Sequence, residues 1–550
     1  MDDLKFNRTQ IFIILTAVLA SLLEIIDTSI VNVAIPSMMG NLGATLEDVS
    51  WVVTGYIIAN AIVLPIAGWL GMQIGRKKYY VGCILLFTLT SVACGLAPNL
   101  LTLSIFRVFQ GLAGGALLPT SQALIQEQFP REKAGMASAI FGMGVIIGPT
   151  IGPTLGGYLT DHFGWRMIFN INLPLGLLAA FVAYTVVGDI GEKIVLKPSR
   201  KERKAALENE TNLEEISVKP VAPPRVRTPI DVWGLALLIV GIGCLQFILE
   251  RGQADGWMDS VSIRICSFVA ATALPGFVCW ELKHKHPVIN LRLFKHPAVR
   301  SGTAMMMALG MMLYSTVFIL PIFMNNIMGF TATQTGMIFI PGAFLTGLMM
   351  PVAGKLLRKV DPRVLIFFGM CTIEVFLYLL SSFNPETSTQ QVFRALLVRG
   401  LGMAFLFVPI QAVVMGQFSG AELGQVAGLM NLLRQIGGSI GIATLSTLMQ
   451  THNAKNYLNM ISKISLLNPA TYNQLMGIQG AMASRFQASI GEAGVQAAAV
   501  RLMAFRLQKQ IFCLSFTSIT WTLLIAFGLA LIPLKFVKPP KVINSNLDIH

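Results

Sequence analysis

The stretch IFIILTAVLASLLEIIDTSIVNVAI, residues 11–35, holds only two charged side chains, Glu24 and Asp27, in an otherwise apolar run. Wound as an α-helix at 1.5 Å rise per residue, it is long enough to cross a hydrocarbon core of roughly 30 Å, and a helix satisfies its own backbone in lipid. Thirteen more stretches of this kind follow, at 50–70, 79–97, 102–125, 134–157, 167–188, 230–249, 259–280, 301–323, 335–354, 364–381, 391–416, 425–449 and 512–534. The expected fold class is therefore all-α, a polytopic membrane protein with 14 transmembrane helices. Composition agrees: 54% of the chain is hydrophobic and 12% charged, against about 25% charged in soluble domains.

The net charge of +14 does not point to nucleic acid, because the cations form no compact basic domain with aromatic platforms. They sit in alternate short loops: Arg76, Lys77 and Lys78; Arg131 and Lys133; Lys283, Lys285, Arg292 and Lys295; Lys355, Arg358, Lys359 and Arg363; and the tail lysines Lys535, Lys538 and Lys541. The intervening loops carry Glu47, Asp48, Asp255, Asp259 and Glu386. The positive-inside rule then puts both termini in the cytoplasm and demands an even number of spans. The first ten residues lack the pattern of a cleaved signal or transit peptide, so 11–35 is expected to persist as the first helix.

An internal repeat divides the chain. PIAGWLGMQIGRK at 65–77 matches PVAGKLLRKVDPR at 351–363, and RVFQGLAGGALLP at 107–119 has a looser counterpart in RGLGMAFLFVP at 399–409. The starts differ by 286 residues (65 to 351) and 292 (107 to 399), in the same order. Two duplicated bundles are expected, an N-terminal six-helix bundle in 1–188 and a C-terminal one in 281–534, with two inserted transmembrane helices in 230–280 between them. The polar, proline-rich segment 189–229 reads as a cytoplasmic linker, 450–510 as an extracytoplasmic loop, and 535–550 as a cytoplasmic tail. Within that loop AAAVRLMAFRLQKQ, 497–510, suits an amphipathic helix lying on the surface, against a partner, or packed as a lead into the last span. Duplicated bundles related by an axis along the membrane normal are a transporter plan.

Polar residues inside the spans mark the expected site. Glu24 and Asp27, three apart, fall near one helical face, and intramembrane carboxylates usually face a cavity or partner. Arg107 stands at a depth where it can compensate one of them, so that protonation would loosen the pair and bias the opening of the bundles. Asn32, Gln122, Gln126, Glu374 and Arg399 are cavity candidates, Arg399 as the repeat counterpart of Arg107 and Glu374 as the other deeply placed acid. Asn431, Arg434 and Gln435 share one side of the thirteenth span, where Arg434 can snorkel or pair with lipid or loop groups. Gly144, Gly148, Gly152 and Gly156 recur at four-residue spacing with Pro149 and Pro153 between them, a close-packing and bending surface read as lying between opposing halves.

Together these motifs resemble the major facilitator superfamily, in particular its 14-spanner drug:proton antiporter branch of EmrB and QacA type. LLEIIDTSIVNVAIP around Asp27, GWLGMQIGRKK at 68–78, LSIFRVFQGLAGG at 103–115 with Arg107, GVIIGPTIGPTLGG at 144–157 and WRMIFNINLPLG at 165–176 carry the likeness. The resemblance implies a two-bundle transporter of the inner (cytoplasmic) membrane, with Asp27, Arg107 and Glu24 in proton coupling and Gly68, Gly75 and Arg76 in gating. One departure stands out: the family commonly has an acid where this chain has Met72. The implied function is proton-coupled efflux of hydrophobic or amphipathic, cationic drugs. The alternative is export of a specific metabolite such as a siderophore, fatty acid or amino acid. Membrane lipid, protons and a small-molecule substrate are the implied partners, with a periplasmic adaptor and outer-membrane channel implied by the EmrB-like subtype.

An enzyme is not expected: HExxH, GxSxG and Walker sequences are absent. Neither cofactor nor metal is expected. The seven cysteines lie in or beside apolar spans without a CxxC pair, which fits packing, and His284 and His286 read as loop polarity.

Overall fold

A computed structural model describes residues 7–130, 133–188, 229–462, 464 and 468–529. The expected linker, apart from Pro229, and the expected tail lie outside the described residues. The helices run as α1 Arg8–Leu42, α2 Leu46–Val63, α3 Ala67–Ile74, α4 Arg76–Gly95, α5 Leu100–Glu127, α6 Ala134–Phe163, α7 Met167–Asn170 and α8 Asn172–Val186. They continue as α9 Val232–Arg251, α10 Val261–Lys283, α11 Pro297–Asn326, α12 Ala332–Leu356, α13 Pro362–Ser381, α14 Thr389–Met415, α15 Ala421–Ile461 and α16 Pro469–Leu529.

Among the described residues eleven helices are long and apolar enough to cross a membrane, and thirteen when two bent pairs each count as one span. One pair is α2 and α3, expected as a single span at 50–70 but bent by 62° around Pro65, which cannot donate to the preceding turn. The other is α6, bent by 41° at Pro149. The stretch 425–449 lies within α15 and is not among the thirteen; Asn431, Arg434 and Gln435 dilute its apolar run.

The helices form two bundles. In the first, α1 packs on α5, α6 and α8, and α5 on α2 and α4; in the second, α11 packs on α15, α14 on α12 and α13, and α16 on α13. The α9–α10 pair lies against α2 and α15, and α6 and α12 run together between the bundles. At the end of the molecule where α1 starts, hereafter the Arg8 end, the bundles meet backbone to backbone. A Cβ on Gly68 would stand 2.6 Å from the carbonyl carbon of Gly424, and one on Gly354 would stand 2.8 Å from the carbonyl oxygen of Gly135. Gly68 and Gly354 hold matching places in the repeated motif, so these are one contact made twice. Only glycine admits such an approach.

The glycine stripe of α6 requires a correction. Cβ atoms on Gly148 and Gly156 would meet Ile25 and Ile30 at 2.5 and 2.7 Å, and Gly152 faces Ser29, so the stripe seats α1 inside its own bundle. The contact between opposing halves uses another face of α6, where Gly135 and Gly157 face α12 and Gly142 faces Phe407 of α14.

The segment 450–510 is also more regular than a loop. α15 continues to Ile461, and α16 breaks at Gly491 (φ 70°, ψ 174°). Leu475, Ile478 and Met482 pack against Ala499, Leu502 and Met503, so the two arms of α16 fold back on each other. The arm Gly491–Leu529 has 39 residues, about 58 Å of helix at 1.5 Å per residue, nearly twice a hydrocarbon core. One end of it stands clear of the bilayer.

Candidate functional site

The sequence LLEIIDTS forms the middle of α1, where Asp27 is fully buried and Glu24 5% exposed. Arg107 of α5, 1% exposed, reaches Asp27 with its guanidinium, Nη1 to Oδ2 at 2.5 Å. The other carboxylate oxygen accepts from Gln110 Nε2 at 2.9 Å and Asn172 Nδ2 at 3.1 Å. Arg107 also donates to the Val52 carbonyl at 3.1 Å and the Gln110 amide oxygen at 2.9 Å, and its guanidinium lies over the Tyr56 ring at 4.1 Å. Asn172 extends the network to Ser91, 3.0 Å away. Three helices, α1, α5 and α8, thus meet on one carboxylate, while Val52 of α2 and Ser91 of α4 hold its partners Arg107 and Asn172. A buried charge pair this well satisfied is costly to break, about 3–5 kcal/mol when one member is removed.

One turn back on α1, Glu24 faces α2 and α5. Its Oε1 accepts from Asn60 Nδ2 of α2 at 2.9 Å, while Oε2 is buried without a hydrogen-bond partner. The Tyr56 hydroxyl is likewise buried, with Thr28 beside it. The two groups converge on Gly114 of α5, where a Cβ would stand 2.7 Å from the Tyr56 hydroxyl and 3.3 Å from Glu24 Cγ. From the other bundle, Gln435 of α15, next to Arg434, donates to the Ile57 carbonyl of α2 at 3.2 Å, beside Tyr56.

Arg434 is 3% exposed, which rules out snorkelling to an interface. Its Nη1 donates to the Tyr314 hydroxyl of α11 at 3.0 Å and its Nη2 to Asn431 Oδ1 at 3.3 Å, while Nε is buried and unpaired. Asn431 donates to Gln122 Oε1 at 2.6 Å, and Gln122 donates to Gln411 Oε1 of α14 at 2.6 Å. This chain of buried amides crosses between the bundles on the Arg8 side of Glu24, since Gln122 lies near the end of α5 and Gln411 near the end of α14.

The remaining candidates fall elsewhere. Gln126 is buried one turn beyond Gln122, and Asn32 is exposed on α1. Arg399 is buried and donates to Thr316 Oγ1 at 3.1 Å. Thr316 stands 289 residues after Asp27 (27 to 316), close to the repeat offset, so the second bundle meets its arginine with a hydroxyl where the first supplies a carboxylate. Glu374 of α13 lies away from the cavity: its oxygens are enclosed without hydrogen bonds, and Oε1 faces Gly528 of α16. Nor is it the only further enclosed acid. Glu250 of α9 accepts from Ser439 of α15 at 2.9 Å, and Glu281 of α10 is 1% exposed. Arg76 pairs with Glu127 at the end of α5 at 2.5 Å. Gly75 (φ 98°) makes the left-handed turn that delivers this arginine.

Gln110, Asn172, Ser91, Asn60 and Tyr56 were missed as site residues. Gln110 had a signal, since it falls three residues after Arg107 on the same face of α5; the others become visible only when helices are brought together. Among the described residues no cluster of three or more His, Cys, Asp or Glu side chains is arranged to hold a metal ion.

A two-bundle helical protein with an intramembrane ion pair and a polar seam is built to move solutes across a membrane. Residues 17–442 match the model of the Major Facilitator Superfamily, and the chain belongs to that superfamily of transporters, which are not enzymes. It is 30% identical over 537 residues to the multidrug export protein EmrB of Haemophilus influenzae, covering 96% of both chains. It is 31% identical over 448 residues to the fatty acid resistance protein FarB of Neisseria gonorrhoeae, covering 81% of this chain and 82% of that one. Among solved structures, the human organic anion transporter MFSD10 aligns with a TM-score of 0.54 at 10% identity, over 91% of this chain and 99% of that one. A bacterial homologue of the human lysosomal transporter Spinster, inward-facing and occupied, aligns with a TM-score of 0.54 at 15% identity, over 97% and 100%. At such identities these two support the fold alone.

Proposed function

We infer that this protein is a proton-coupled exporter of hydrophobic or amphipathic compounds, cationic ones included, in the bacterial cytoplasmic membrane. The observation that carries this reading is the complete enclosure of Asp27 by Arg107, Gln110 and Asn172. Protonating Asp27 removes the negative charge that holds Arg107 and weakens its bonds to α5 and α8 at once. The proton thereby acts on the same equilibrium as substrate bound between the bundles. The likeness to proteins named for multidrug export and fatty acid resistance supports an amphipathic substrate. A single-metabolite exporter remains the second reading, favoured by the similarity to FarB.

In this reading α15 supplies the thirteenth span and brings the total to fourteen, both termini are cytoplasmic, and the six-helix units 1–188 and 281–534 flank an inserted pair at 230–280. The amide chain through Gln122 then closes the cytoplasmic half. The EmrB-like plan brings with it a periplasmic adaptor and outer-membrane channel as candidate partners for the projecting arm of α16. The test is D27N in proteoliposomes: membrane insertion is retained and dye transport driven by an imposed pH gradient is lost. Normal gradient-driven transport by D27N would overturn the assignment.

A further inference from the structure

Glu24 and Arg434 belong to opposite bundles that meet here, Gln435 beside Arg434 donating to the Ile57 carbonyl of α2, next to Tyr56, at 3.2 Å, and each retains an unused polar atom. Among the described residues neither makes an ion pair, while Oε2 of Glu24 and Nε of Arg434 are buried without hydrogen-bond partners. Arg434 is held rather than floppy, gripped by Tyr314 and Asn431, with its guanidinium 5.9 Å from the Tyr314 ring centroid.

Buried charges without close counter-ions are strongly unfavourable, and their attraction across a gap offsets only part of the desolvation. A purely cationic ligand would neutralise Glu24 and leave Arg434 without a counter-charge. A purely anionic ligand would do the reverse. A molecule carrying both charges answers both residues and bridges the two bundles, and a planar guanidinium is well suited to a carboxylate.

The geometry points to Arg434 as the anion-receiving half of the substrate site opposite Glu24, and to amphiphiles bearing both a cationic group and a carboxylate as the preferred substrates. This deepens the export reading and rests on it for the word substrate. The position of Arg434 has a second consequence: a ligand carboxylate that draws the guanidinium from Asn431 loosens the amide chain through Gln122 and Gln411.

The test is equilibrium binding to the full-length protein in nanodiscs, followed by fluorescence anisotropy at fixed pH without any gradient. The three probes share one ring system: rhodamine 123 (cation), rhodamine 110 (its free acid, the zwitterion) and fluorescein (anion). The native protein is expected to bind the zwitterion about tenfold more tightly than the cation. R434Q should erase that advantage while still binding the cation, which also shows that the variant is folded. R434K should restore part of it, and E24Q should weaken the cation and zwitterion but spare the anion. An unchanged order in R434Q, tightest binding of the cation by the native protein, or binding of none of the three overturns the assignment. Because no gradient is applied, failure of proton coupling leaves this result untouched; D27N that loses driven transport but keeps the binding order separates the two.

Discussion

Replacing Gln122 by leucine is the most direct probe of how the bundles are held together at the Arg8 end. The side chain accepts from Asn431 and donates to Gln411, both at 2.6 Å, and all three residues are at most 3% exposed. Leucine removes both bonds and leaves the Gln411 amide oxygen without its donor, while Asn431 keeps the Ala427 carbonyl at 2.9 Å. An orphaned buried polar group costs about 1–3 kcal/mol, and one further net hydrogen bond about 1 kcal/mol. The closed arrangement therefore loses about 2–4 kcal/mol relative to one in which water reaches these groups. At tenfold per 1.4 kcal/mol, the open population rises about 30- to 1,000-fold until it saturates. A cysteine at Leu64, 1% exposed and beside Gly428 at the seam, reports this opening by its rate of maleimide labelling when the seven native cysteines are replaced. Labelling of L64C within about twofold of its parent when Q122L is added would refute a latch.

The glycines of α6 separate from one another in cost. G148A brings a Cβ to 2.5 Å from Ile25 and should lower stability by about 1–3 kcal/mol, whereas G144A, whose nearest neighbour is Leu22 at 3.8 Å, should be near neutral; thermal unfolding in one detergent compares them. For the Arg76–Glu127 pair, with side chains 13% and 23% exposed, R76E should impair transport, and R76E with E127R should recover most of it. The stability change should stay near 1 kcal/mol or less because the site is partly solvated. Loss in the swapped double variant equal to that in R76E would show that Arg76 acts through something other than this pair.

The apolar runs and the repeat made the two-bundle plan readable because span length and backbone satisfaction are properties of single segments. Asp27 and Arg107 were readable as partners because a carboxylate and a guanidinium in lipid each demand an answer. Their neutral companions were not, since nothing in the chain around Asn172 or Ser91 shows that α8 turns Asn172 toward Asp27 and that Ser91 backs it. Glu374 was misread for the same reason: depth along α13 says nothing of which neighbour it faces, and that neighbour is α16. Position along the span puts Arg434 near an end, but α15 begins earlier, at Ala421, and the packing of α11 turns the side chain inward onto Tyr314 and Asn431. The inversion of the glycine stripe shows that spacing gives a close-packing face without naming its partner.

The enclosure of Asp27 bears on timing as well as affinity. Asp27 has no solvent contact in this arrangement, so in the proton-coupled reading it exchanges a proton only when the packing around it opens. A pH jump applied to the closed protein should be followed by proton uptake only at the rate of reopening, and hydrogen exchange at the Asn172 and Gln110 side chains should share that clock.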